Sequence, residues 1–222
     1  EEFKGEQLMS SNDYFADRLI AKLEYTDPFF AAYEAQAVSR DVGFDFQDFQ
    51  DVVPRALDEI RETKEAFTEE GPEGREHFGD EIADIMFSLI NLARHAGIDE
   101  LPTVEQASTE VDTAVMTDDE TIALIDHIGT EIIRVSEEAV ESPDQLSEIM
   151  KDLLTHGLSD AIRLALAHEF NPEDLLRENV SKYLVRCQAI ETLAAKDGKA
   201  WADLAANNEI VDYWKKAKSL LK

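Results

Sequence analysis

The sequence predicts an all-α protein, a bundle of antiparallel helix hairpins. Three observations carry that expectation. Apolar residues recur every three or four positions, most clearly at Ile82, Ile85, Met86, Leu89, Ile90 and Ala93, which is the period of one helix face. No segment alternates apolar and polar residues over a useful strand length. Nine Gly and six Pro in 222 residues are too few for the many tight turns of an all-β sandwich.

Each element has its own signals. Residues 1–27 read as an N-terminal extension with one short amphipathic helix at 13–25, behind Asn12 or Asp13 as cap. Asp27-Pro28 starts the next helix, because Pro at the first position loses no intrahelical bond. That helix runs to Arg40 and stops at Val42-Gly43. Residues 43–51 (GFDFQDFQD) are expected to form a loop with aromatic anchors. A third helix spans Val53 to Glu69 and ends at Gly71-Pro72; a fourth spans Glu76 to Ala96 and is closed by Gly97. Residues 101–117 are a connector. Helical patterning covers 118–139, breaks at Ser142-Pro143 and resumes to Phe170. Asn171-Pro172 opens a helix reaching Ala195, Asp197-Gly198 turns the chain, and a last helix runs from Glu209 to Leu221.

Composition narrows the function. Hydrophobic residues make up 44% of the chain, enough for a packed core. The single cysteine, Cys187, leaves no intramolecular disulfide and no Cys-rich zinc site, so Cys187 is read as structural. No run of 18 apolar residues and no leader pattern is present, so no membrane association and a cytoplasmic location are expected. The net charge of −28 argues against nucleic acid as a partner. The charge is uneven. From Leu175 onward nine basic residues face six acidic ones, whereas the preceding part holds 12 basic and 43 acidic residues. Such a chain has the means to bind cations at one place and phosphates at another, although an acidic surface that keeps the protein in solution explains the same numbers.

The chemistry-bearing pattern is a set of four carboxylates. Glu59 and Glu62 are three apart on the third helix, and Glu81 and Asp84 are three apart on the fourth. Residues at i and i+3 share a helix face. A short Gly/Pro link makes the two helices antiparallel neighbours, so all four carboxylates are expected to converge. Unscreened, they would repel one another and hold their protons more tightly. A divalent cation relieves this, and an oxygen-only ligand set favours a hard ion such as Mg2+ or Mn2+. Beside the apolar stripe of the fourth helix runs a polar one: Glu81, Asp84, Ser88, Asn91 and His95. It reads as a pocket between helices or as a solvated shoulder. A di-iron bundle would require Glu-x-x-His on two helices, and His77 and His95 stand at other offsets.

These segments resemble a known family. LDEIRETKEAF and GDEIADIMFSLINLARHAGID look like the paired ExxE and ExxD motifs of the MazG-like all-α nucleoside triphosphate pyrophosphohydrolases. YEAQAVSRDVGFDF resembles that family's first helix and loop; NVSKYLVRCQAIETLAAKDGKAWADL and EIVDYWKKAKSL resemble its last two helices. The resemblance covers 28–99 and 172–221. It implies that Glu59, Glu62, Glu81 and Asp84 hold Mg2+ or Mn2+. It further implies that Lys182 and Arg186 contact a triphosphate and that Trp214 and Lys218 belong to the substrate site. Arg40 is a further phosphate candidate, and Asn91, on the Asp84 side of its helix, a nucleoside contact. Each also has a plainer reading: Lys182 and Arg186 as a solvated face, Trp214 as a core anchor, Asn91 as helix packing, and His95 as structural. The implied reaction is hydrolysis of a (deoxy)nucleoside triphosphate between its α and β phosphates, yielding monophosphate and pyrophosphate. Two alternatives stand beside it. One is a phosphoribosyl-ATP pyrophosphohydrolase; the other is a catalytically silent scaffold with a relic metal site.

The domain is expected to span 28–222, with 100–171 lying outside the resemblance as an insertion or a repeat. A shift of 72 residues lays 54–99 on 126–171 without a gap, with nine identities in 46 positions, among them Glu59/Glu131, Ile60/Ile132 and Asp80/Asp152. The metal pattern is lost: Glu62 aligns with Arg134, Glu81 with Leu153 and Asp84 with His156. A degenerate copy of the hairpin would pack against the intact one within a single chain, as an intrachain pseudo-dimer in place of a homodimer. Arg134 and His156 would then stand where metal would otherwise bind.

Overall fold

The stripe of Ile82, Ile85, Met86, Leu89, Ile90 and Ala93 is wholly buried, and the other helices are arranged around it. The computed structural model describes residues 15–69, 71–109 and 114–221. Among these there is no strand, and the helices are α1 (Phe15–Ile20), α2 (Pro28–Asp41), α3 (Phe49–Phe67), α4 (Gly71–His95), α5 (Val104–Ser108), α6 (Asp118–Glu141), α7 (Leu146–Ala167), α8 (Pro172–Lys196), α9 (Trp201–Ala206) and α10 (Ile210–Leu220).

Four helices make the central bundle. α3 and α4 run antiparallel: the Phe67 ring lies 5.1 Å from Phe78, and Thr63 Oγ1 donates to the Glu81 carbonyl at 3.4 Å. α6 and α7 do the same, with Thr121 Oγ1 2.9 Å from His168 Nε2 and His127 Nδ1 3.2 Å from Asp160 Oδ2. α6 then lies along α3 and α7 along α4. Two small residues permit the close approach. A Cβ on Gly129 would stand 3.0 Å from Ile60 Cγ2, and one on Gly157 would stand 3.2 Å from Leu89 Cδ1. The ion pair Lys64–Asp126 and the bonds between Gln50 and Ser136 stitch the outer edge of the α3–α6 contact.

α8 crosses the other side of α4 and carries α1, α2 and α10 on its remaining faces. A second, smaller core of Ile190, Ala194, Leu204, Ile210, Tyr213 and Ala217 joins α8, α9 and α10. Phe44, in the loop after α2, bridges the two cores, with its ring 5.3 Å from Trp214 and 6.5 Å from Tyr183. Gly43 has φ +86, and a Cβ there would fall 2.7 Å from Ala205 Cβ. Glycine is thus required both by the backbone conformation and by the approach of α9.

Several boundaries differ from the sequence expectation. The 13–25 helix is a short α1 followed by a separate 3₁₀ turn at Leu23–Tyr25, and residues 13 and 14 lie outside the described residues. α3 begins at Phe49, so Phe49–Asp51 are not loop: Asp48 caps the helix by accepting from the Asp51 N–H at 3.2 Å. Pro54 is accommodated inside the helix near its N-terminus. α4 starts at Gly71 and not at Glu76. The 101–117 connector contains α5, begun by a capping box between Thr103 and Gln106. The chain turns at Asp197-Gly198 as expected, and α9, not expected, stands between that turn and the last helix. No helix among the described residues is long and apolar enough to cross a membrane.

The α3–α6 seat is testable. Gly129→Leu forces a side chain into Ile60, and overpacking of this kind costs about 1–3 kcal/mol. The urea unfolding midpoint should fall accordingly; an unchanged midpoint would mean that α6 does not rest on α3.

Candidate metal centre

Antiparallel packing of α3 on α4 brings Glu59, Glu62 and Glu81 together, whereas Asp84, expected to converge with them, lies outside that group and is bonded by Asn179 of α8. Thr63 pins the register, since its hydroxyl donates to the Glu59 carbonyl at 2.6 Å while lying 3.4 Å from that of Glu81. Glu59, Glu62 and Glu81 each offer one oxygen to a group in which all three atoms lie within 4.8 Å of one another. Opposite ligands of an octahedral Mg2+ stand about 4.2 Å apart, so a small closure suffices to seat an ion.

Burial makes the site unusual. Glu59 is 3% exposed and Glu81 8%. Glu59 Oε2 and Glu81 Oε2 are buried with no hydrogen-bond partner among the described residues. A buried, unpaired carboxylate oxygen is costly. Two of them in one cluster, with carboxylates as the shared donor type, fit a hard divalent cation. Desolvation, followed by the charge of Asp84, pushes Glu59 up to about 8 against the opposing pull of Arg55. Burial, then Asp84 and Glu62, raise Glu81 to about 7, with His77 acting the other way. Asp84 is raised as well, chiefly by burial and against the hydrogen bond from Asn179.

The surrounding side chains hold these carboxylates in place. His77 lies one turn before Glu81 and spans Glu69 and Glu81, with Nδ1 3.0 Å from Glu69 Oε2 and Nε2 3.1 Å from Glu81 Oε1. Asn179 of α8 donates to Asp84 Oδ1 at 2.6 Å. Arg55, one turn before Glu59, ion-pairs with its Oε1. Sequence reading missed all three. His77 and Arg55 were within reach of it, because each stands four residues before a ligand candidate and therefore on the same face. Asn179 was not, since it approaches from another helix.

The expected substrate residues are only partly drawn together. Lys182 faces α4 but is held by Asp80 at 2.8 Å and by Glu178 at 3.2 Å. Arg186 contributes to the field at Asp84, and its guanidinium sits over the Trp214 ring at 5.6 Å. Trp214 is half-buried among Phe44 and Tyr183. Asn91 is half-buried and accepts from Arg94 at 2.9 Å. Lys218 is exposed on α10. Arg40 is exposed and paired with Asp41. His95 and Cys187 are buried, His95 against Asp45 at 3.1 Å. At the positions 72 residues on, Arg134 is bound by Glu131 at 2.9 Å and Glu138 at 2.7 Å, and His156 is exposed on α7.

Neither family models, nor curated proteins, nor solved structures give a match to the chain.

The raised carboxylates define a pH dependence. Unfolded, a glutamate titrates near 4.5, whereas the folded chain holds the Glu59 proton up to about 8. Between those values the folded state binds more protons than the unfolded one, so stability falls as pH rises. In chelator, urea unfolding from pH 5 to 8.5 should show this decline, and Glu59→Gln should lessen it, leaving the part due to Glu81. A wild-type stability that is constant or rises over that range would show that the cluster is not protonated.

Proposed function

We propose that this chain is a divalent-metal-dependent hydrolase of (deoxy)nucleoside triphosphates, releasing a monophosphate and pyrophosphate by attack of water between the α and β phosphates. The observation that carries the reading is the buried carboxylate group with two orphaned oxygens, Glu59 Oε2 and Glu81 Oε2. The resemblance of the paired motifs to those of the MazG-like family adds the bond choice and the substrate class.

Glu59, Glu62, Glu81 and Asp84 would hold Mg2+ or Mn2+, with His77 and Asn179 orienting Glu81 and Asp84. When bound, the ion supplies neutralisation of phosphate charge and a more acidic water. One carboxylate of the cluster takes the proton of the attacking water. α8 supplies the fixed positive charges. Lys182 exchanges its contact with Asp80 for a phosphate oxygen, and Arg186 lies between Asp84 and the Trp214 ring. Phosphoryl chemistry rests mainly on such positioning and charge stabilisation. Trp214 and Asn91, at the same end of α4 as the Phe87–Tyr183 contact, border the space for the nucleoside.

The α6–α7 hairpin is, in this reading, a degenerate copy of α3–α4, and the chain is an intrachain pseudo-dimer. Register supports it. Moved back by 72 residues, the pairs Thr121/His168 and His127/Asp160 fall on 49/96 and 55/88, continuing the alignment of Phe67/Phe78 and Thr63/Glu81. Arg134, in place of Glu62, supplies from the chain itself the positive charge that Glu131 requires.

A panel of nucleoside and deoxynucleoside triphosphates with Mg2+, resolved by ion-exchange chromatography, should yield monophosphate and pyrophosphate. Diphosphate and orthophosphate would overturn the bond choice. Glu62→Gln or Asp84→Asn should reduce turnover at saturating Mg2+ by more than tenfold, about 1.4 kcal/mol in barrier terms, with helical circular dichroism unchanged. Lys182→Ala should weaken triphosphate binding by about 1.5–3 kcal/mol and monophosphate binding by less. Equal losses would place Lys182 in the fold or at the nucleoside.

A further inference from the structure

Arg55 has no part in the paired acidic motif, yet it ion-pairs with the buried Glu59, whereas Glu62 is bonded by Arg61 at 3.0 Å. Arg55 stands one turn before Glu59 and two before Glu62, so all three share one face of α3. Its guanidinium ion-pairs with Glu59 Oε1 and lies 3.9 Å from Glu62 Oε2. Its charge also acts on Asp84 across the helix interface. One guanidinium therefore lies against two of the carboxylates proposed to hold metal, bonded to Glu59 and at longer range from Glu62. Its side chain is 46% exposed, whereas that of Glu59 is 4% exposed. The positive group thus reaches the buried cluster from the solvent side on a flexible stem.

The second hairpin offers a contrast. Arg134 is clamped between Glu131 and Glu138, one turn to either side, at 2.9 and 2.7 Å. Both of its bonds lie along α6 itself, and neither glutamate has a buried, unpaired oxygen. Arg55 is bonded at one end, and the partner it holds keeps a second oxygen, Glu59 Oε2, unpaired and buried. A divalent ion using Glu59 and Glu62 would press a double positive charge against the guanidinium at the same carboxylates, and like charges at such range repel strongly. Arg55 has water to move into, whereas Glu59, packed between α3 and α4, does not.

We propose that Arg55 is the internal counter-ion of this centre, seated on the carboxylates when no divalent ion is bound and displaced from them when one binds. The inference rests on the divalent-metal reading above. Arg55 is a positioning residue here: it holds Glu59 and Glu62 in place before metal arrives and makes metal compete for them. Metal binding is then weaker than the carboxylates alone would give, and a mobile cation is released at the rim of the centre.

Mn2+ binding tests this without turnover, read from the electron paramagnetic resonance signal of free Mn2+ at fixed ionic strength. Arg55→Gln should bind Mn2+ about tenfold more tightly than wild type, and Arg55→Lys, which keeps the competing charge, should stay within about threefold of wild type. Equal or weaker binding by Arg55→Gln, with wild type binding normally, would overturn the proposal and leave the metal reading standing. Absence of Mn2+ binding in both proteins would overturn both. A second measurement needs no variant: the Arg55 Nε–H resonance of wild type should shift and exchange faster as Mg2+ is added, and an unmoved resonance would also overturn the displacement.

Discussion

The burial of like charges between α3 and α4 is the constraint on which the rest of this structure turns. Glu59 and Glu81 are almost wholly enclosed, and no hydrogen bond reaches one oxygen of each. An apolar pair at these positions would pack with no such penalty. The arrangement is stable only through compensation from around it: Arg55 on Glu59, His77 on Glu81, Asn179 on Asp84, and protons held to unusually high pH. Each compensating group comes from a different part of the chain. The carboxylate cluster therefore sets where α8 must lie and how the start of α4 must meet the end of α3.

The remaining architecture supplies rigidity for that cluster. α6 and α7 cover the side of the α3–α4 hairpin opposite to α8, through contacts as close as Gly129 on Ile60 and Gly157 on Leu89. Tight, apolar packing on one side keeps the carboxylate-bearing faces from rotating away from each other. On the α8 side, Leu176, Val180 and Leu184 join the same buried core, and polar contacts stand beside them. Lys182 to Asp80 and Asn179 to Asp84 are bonds that a ligand with stronger charge can replace.

In the proposed copy of the hairpin, Glu131 keeps the place of Glu59, but Arg134 replaces Glu62, Leu153 replaces Glu81 and His156 replaces Asp84. Arg134 is bound by Glu131 and Glu138, Leu153 is buried and His156 is exposed.

Much of this was legible in the sequence. The three-to-four periodicity around Ile82–Ala93, the Asp27-Pro28 and Asn171-Pro172 starts and Gly97 located the long helices, because helix faces and caps are encoded within a few residues. The spacing of Glu59, Glu62, Glu81 and Asp84 likewise encoded which carboxylates face one way. Short elements escaped it: α5 and α9 are five and six residues long, too brief to show a period. The start of α3 at Phe49 also escaped it. Only the tertiary structure decided that Glu59 and Glu81 are desolvated, that Lys182 is held by Asp80, and that Arg55 ion-pairs with Glu59. A linear pattern specifies the faces of helices. Desolvation and charge pairing depend on the distances between those faces, which arise when the helices pack.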